Sequence, residues 1–122
     1  SAKGCNMIRL KRVYDAPLPD DGVRILVERL WPRGVTKERA HVDRWLREIA
    51  PSAELRAWYA HDVANWDEFQ RLYEAELACN PAVTELRDIV DRERVVTFVY
   101  AASDEEHNSA RVLKAFLDRT TA

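Results

Sequence analysis

The chain has 122 residues, a length that makes one domain around one hydrophobic core. Apolar residues are 47% and charged residues 33%, the proportions of a globular protein. A formal net charge of -2 argues against a duplex-DNA or anionic-membrane binder, and no apolar run approaches the roughly 20 residues of a membrane span.

Ser1–Asn6 precede the only methionine, Met7. Residues 1–7 are expected as a disordered N-terminus or an expression remnant, with 8–122 forming the domain. Ile8 to Val13 alternates apolar and basic residues, the pattern of a half-exposed strand. Asp15 to Gly22 is a Pro/Asp/Gly connection. Val23 to Arg29 reads as a second, more central strand, because it is more continuously apolar. The short link leaves no room for a crossover helix, so these two strands are expected to pair antiparallel.

Thr36 caps a short helical turn. His41 to Ile49 fits either a helical face or a short strand near Val42 to Leu46, and the strand is favoured. Pro51 opens a helix running to about Tyr59. Asn65 is expected to cap the next, whose Trp66, Phe69, Leu72, Tyr73 and Leu77 recur at helical spacing. Asn80-Pro81 ends it and starts another, with Val83, Leu86, Ile89 and Val90 on one face. Val95 to Tyr100 is a strand. Ser103-Asp104-Glu105-Glu106 has the form of a capping box for the last helix. Strands separated by helices predict an α/β fold, a single layered domain with a mostly parallel central sheet flanked by helices.

Two polar stretches follow the apolar strands: Glu28-Arg29-Leu30-Trp31-Pro32-Arg33-Gly34 and Tyr100-Ala101-Ala102-Ser103-Asp104-Glu105-Glu106-His107-Asn108. If both strands are parallel, both stretches emerge at the carboxyl edge of the sheet, where ligands of open α/β folds bind. Arg33 suits bidentate binding of phosphate or carboxylate, or a structural ion pair. Arg29 suits the same two roles, with the ion pair favoured. Trp31 stacks on a ligand ring or packs in the core; Trp45, Trp58 and Trp66 fit core faces.

Tyr100 either points its hydroxyl into the cleft or buries it. Ser103 and Asp104 cap a helix whose amino end is also an anion site. His107, with Asn108 beside it, suits acid–base work near neutral pH. His61-Asp62 is a base and its partner or a polar loop. The candidates are therefore Tyr100, His107 and Asp104 for catalysis, with Arg29, Trp31, Arg33, Ser103, Asn108, His61 and Asp62 for binding. No metal site and no cofactor are expected, because HExxH-like, CxxC and glycine-rich spacings are absent. Cys5 and Cys79 make no disulfide framework and read as free thiols of a reducing cytoplasm, Cys79 at least half-buried in a helix.

Val27 to Gly34, Leu46-Arg47-Glu48-Ile49-Ala50-Pro51-Ser52, His61-Asp62 and Tyr100 to Asn108 together resemble the YeaO-like branch of the family called domain of unknown function 488. The resemblance runs from about Ile8 to Leu117. It implies a small bacterial or archaeal cytoplasmic α/β protein. Other branches carry a Cys where Tyr100 stands and a Cys-His-Arg-like turn near His107. This chain has neither cysteine, so their thiol chemistry does not carry over. The wider family implies nucleotide-like or nucleic-acid-related substrates.

The favoured expectation is a strand-end cleft for a small anionic ligand, as a binder or as an enzyme on a nucleotide or phosphorylated metabolite. The alternatives are a protein-interaction module, whose Trp and Arg form a partner surface, and a single-strand nucleic-acid binder. Neither duplex nucleic acid nor a membrane is an expected partner.

Overall fold

A computed structural model describes residues 7–120. Its strands are β1 (Met7–Arg12), β2 (Val23–Leu26), β3 (Arg44–Trp45) and β4 (Val95–Tyr100). Its helices are α1 (Lys37–Ala40), α2 (Ala53–Tyr59), α3 (Trp66–Ala78), α4 (Ala82–Arg92) and α5 (Ser109–Thr120). Met7 opens β1 and so belongs to the domain; the expectation for residues 1–6, and any statement on Cys5, lies outside the described residues.

The strands form one parallel sheet in the order β1-β4-β2-β3. This is the expected α/β architecture with one correction. The first two strands are not an antiparallel pair, because β4 lies between them and both run parallel to it. An extended chain spans up to about 3.3–3.6 Å per residue, so residues 13–22, with one 3-10 turn at Pro19–Asp21, return along a six-residue strand without a crossover α-helix. Gly22 ends that link at φ +67°, where a Cβ would lie 2.1 Å from the Val95 carbonyl oxygen. Only glycine lets β2 begin this close to β4.

Alternation along the strands divides the core in two. Ile25, Val27, Val96, Phe98 and Tyr100 pack with the inward stripes of α2, α3, α4 and α5. Leu26 and Val99 pack on the other face with Val13 and Ala40, beneath the Trp31 and Trp45 rings. That second face also buries a charge network. Asp21 accepts from Lys11 at 3.0 Å and from Arg24 at 2.6 Å, and Arg24 donates to the Ala40 and His41 carbonyls. Burial alone would push the Asp21 carboxyl up. Hydrogen bonds from the Leu18 amide, Lys11 and Arg24 outweigh it and hold the carboxyl below its usual value.

Local chemistry corrects several expected caps. Ser52, after Pro51, is the N-cap of α2, its Oγ accepting from the Leu55 amide. Glu76 of α3 accepts from both the Ser52 amide and hydroxyl, so one cap is built from two helices. Asn65 makes no side-chain cap bond; Asp62 instead accepts from the Ala64 amide and closes the turn Val63–Asn65. The last helix starts at Ser109 rather than just after Ser103. Asp104 Oδ1 accepts from the Glu106 and His107 amides, and this tight turn competes with helix initiation. Asn108 then caps α5 by accepting from the Arg111 amide.

Cys79 is exposed rather than half-buried, because it is the C-cap of α3 just past the inward stripe that Leu77 ends. Trp58 is 46% exposed rather than in the core, because Tyr59, one position on, takes the inward direction of the short α2. Trp45 and Trp66 are partly buried against the two cores.

Candidate functional site

The exits of β2 and β4 stay joined beyond the strands. The pairing Leu26 with Val99 is followed by a bond from the Val27 amide to the Val99 carbonyl. Glu28 Oε2 then accepts from the Ala101 amide at 2.9 Å, and the Glu28 carbonyl accepts from Trp45 Nε1. Burial pushes the Glu28 carboxyl up, and the Ala101 amide and the Arg56 and His61 charges offset only part of that.

A cavity of about 300 Å³ opens where these exits meet α2, α3 and the amino end of α5. Glu28, Ala101 and Ala102 come from the strand ends, Arg56 and Tyr59 from α2, and Phe69 from α3. His61 follows α2, and His107, Asn108 and Ser109 stand at the start of α5. Arg56 and Tyr59 are three apart on one helix and so share a face. The Arg56 guanidinium makes no hydrogen bond or ion pair with any described residue. The turn after α2 is unusual: Ala60 and His61, neither glycine, both have positive φ, 45° and 59°. That conformation brings His61 back beside Tyr59, ring centroids 6.2 Å apart.

His107 Nδ1 lies 2.9 Å from Asp104 Oδ2, and its ring stands edge-on to Trp66 at 5.2 Å. The Glu106 and His107 amides, with the His107 ring, hold the Asp104 carboxyl below its usual range. A carboxylate at Nδ1 selects the tautomer that leaves Nε2 as an acceptor. Asn108 is buried, with its amide nitrogen on the Asp104 carbonyl and its oxygen on the Arg111 amide.

Of the residues singled out from sequence, His61, His107 and Asn108 line this cavity, and Asp104 stands behind His107. Arg29 spends its guanidinium on the Pro51 and Ala50 carbonyls and so fixes the segment that contributes Pro51 to the wall. Trp31 donates to the Val35 carbonyl and meets Trp45 edge-on at 5.4 Å, on the opposite face of the sheet. Arg33 is exposed and does not line the cavity; its carbonyl accepts from the Tyr14 hydroxyl. Tyr100 is buried in the main core, and burial first, then Glu105, pushes its hydroxyl up. Ser103 is exposed and Asp62 caps its turn.

Glu28, Arg56 and Tyr59 were not singled out. Glu28 opens the first polar stretch, and being the first polar residue after an apolar strand was its available signal. Arg56 and Tyr59 sit on an ordinary amphipathic helix and carry none. Among the described residues no group of three or more His, Cys, Asp and Glu is placed to hold a metal ion, and no helix is long and apolar enough to cross a membrane.

The family model described as "Inactive DUF488-N3 subclade" matches residues 7–122. An uncharacterised protein of Mycobacterium tuberculosis (strain ATCC 25618 / H37Rv) is 42% identical over 111 residues, 91% of this chain and 93% of its own length. An uncharacterised protein of Mycobacterium bovis is similar to the same extent. The uncharacterised protein YeaO of Escherichia coli (strain K12) is 39% identical over 110 residues, 90% of this chain and 96% of its own. No solved structure matches with significance. With the strand-end motifs and the parallel sheet in place, the match over residues 7–122 makes this chain a YeaO-like member of the DUF488 family, in the subclade described as inactive DUF488-N3.

Proposed function

We propose that this chain holds a small anionic molecule in the cavity at the exits of β2 and β4, and binds it without turning it over. One observation carries the reading: Arg56, His61, His107 and the amino end of α5 meet at one cavity whose single lining carboxylate is Glu28. Arg56 supplies a two-pronged donor with no hydrogen-bond partner among the described residues. The first amides of α5, at Ser109 and Ala110, precede any intrahelical acceptor and favour negative charge. A phosphate, on a nucleotide or on a smaller metabolite, or a carboxylate presents the matching chemistry.

Three features favour binding over turnover. The family model carries the description inactive. No cysteine lines the cavity. Tyr100, the second acid–base candidate, is packed in the core rather than beside His107.

The test is a thermal-shift and calorimetric screen of inorganic phosphate, sugar phosphates, short carboxylates and nucleotides, with NMR of each mixture for conversion. A ligand at 100 times its dissociation constant adds about 2.7 kcal/mol of stability. The expected result is a shift with at least one class in the wild type, lost in Arg56→Ala, and no new compound. No shift with any anion, or the same shift in Arg56→Ala, overturns the site. Conversion that His107→Ala abolishes overturns the absence of turnover.

A further inference from the structure

The cavity has a hydrogen-bonding half that a bare anion leaves unmet. Tyr59 is 6% exposed, and its hydroxyl is the only buried side-chain polar atom without a hydrogen-bond partner among the described residues. Its ring is held by Phe69 stacked at 4.4 Å and Trp66 at 5.9 Å, so the phenol is not free to swing toward another partner. Burial first, then the Asp104 and Asp62 carboxylates, pushes the hydroxyl up, which keeps it protonated and able to donate. A buried hydroxyl without a partner costs about 1–3 kcal/mol, so native structures rarely leave one unused.

Glu28 offers an acceptor in the same cavity. Its Oε2 accepts from the Ala101 amide, while Oε1 accepts from no described residue. The cavity thus combines the Arg56 guanidinium and the His61 and His107 rings with one unused donor and one open acceptor. A bare oxyanion can take the Tyr59 proton but brings like charge to Glu28. An ammonium group serves Glu28 but cannot accept from Tyr59. An alcohol both donates and accepts. At about 300 Å³ the cavity also favours a short molecule.

Resting on the anion site proposed above, we propose that the occupant is a hydroxylated small anion, a hydroxy acid or a polyol phosphate. Its anionic group meets Arg56, and its hydroxyls meet Tyr59 and Glu28.

The experiment compares matched probes by calorimetry: glycerol 3-phosphate against propyl phosphate, and lactate against propionate. The expected result is at least a tenfold preference for a hydroxylated member in the wild type. Tyr59→Phe reduces that preference severalfold while the denaturant midpoint stays level or rises, because the change deletes only an unpartnered hydroxyl. A purely structural tyrosine would instead lose stability. Glu28→Gln keeps an acceptor for the Ala101 amide and also reduces the preference. Equal binding of the paired probes overturns the hydroxyl assignment and leaves the anion site standing, as does a preference unchanged in both variants. Binding of neither member of either pair, together with a negative anion screen, overturns both.

Discussion

His107 Nδ1 and Asp104 Oδ2 lie 2.9 Å apart, within one tight turn that precedes α5. The same carboxylate accepts from the backbone amides of Glu106 and His107, so one side chain shapes the turn and orients the ring. His107 itself lines the cavity.

That pairing predicts a tautomer. As a neutral imidazole, His107 should carry its proton on Nδ1, facing the Asp104 carboxylate. Long-range nitrogen–proton NMR of the ring reads this directly. Asp104→Asn, which removes the carboxylate, should redistribute the proton toward Nε2 and change the coupling pattern of the two ring nitrogens. A wild-type ring protonated on Nε2 would remove the orienting role.

Arg56 and Arg33 should separate cleanly. Arg56→Ala should change stability by no more than about 0.5 kcal/mol, the usual range for an exposed position. It should weaken anion binding by about 1.5–3 kcal/mol, the range for hydrogen bonds to charged groups. Arg33→Ala should change neither, because Arg33 does not line the cavity. Calorimetry and urea midpoints on both variants decide it; loss of binding in Arg33→Ala would return the site to the first polar stretch.

Arg29 should behave as a brace. Its Nε and Nη2 donate to the Pro51 and Ala50 carbonyls at 3.1 and 3.0 Å. Arg29→Ala should lower stability by about 1.5–3 kcal/mol, and Arg29→Lys should not recover it fully, because a single ammonium lacks the planar fork. Urea midpoints of the two variants check this. A lysine variant as stable as the wild type would show that charge alone suffices.

Asp21 should govern acid sensitivity on the face away from the cavity. Its carboxyl is held below the ordinary 3.8, so its stabilising contribution is present above that value and is lost as pH falls through the lowered one. Asp21→Asn strands the nearly buried Arg24 and Lys11, and should cost about 3–5 kcal/mol at neutral pH. The gap from the wild type should narrow in acid below about pH 4, where the native carboxylate also takes up a proton. Midpoints measured from pH 3 to 7 test both the size and the trend; a gap that widens in acid would contradict the assigned sign.

Much of the fold was legible because period-two and period-3.6 patterns are local. β4 matched residues 95–100, α1 matched its Thr36 cap, and the short strand at Arg44–Trp45 fell within the favoured segment. Caps were less legible, since a carboxylate such as Asp104 chooses between helix initiation and a tight turn according to what surrounds it. Strand order was misread for a related reason. A short link predicts neighbouring strands, whereas β4, more than seventy residues further along, enters between them.

The α/β class, the family and the two strand exits are readable in the chain alone, because hydrophobic period and motif residues lie within short windows. Which side chains share a cavity depends on how distant elements pack. Arg29, Trp31 and Arg33 leave one strand within five residues, yet one braces Pro51, one packs beneath the sheet and one meets solvent. Glu28, the α2 pair Arg56 and Tyr59, and His107 converge from three separate segments. Their meeting depends on how α2 and α5 pack against β2 and β4, a relation between distant segments that no local pattern encodes.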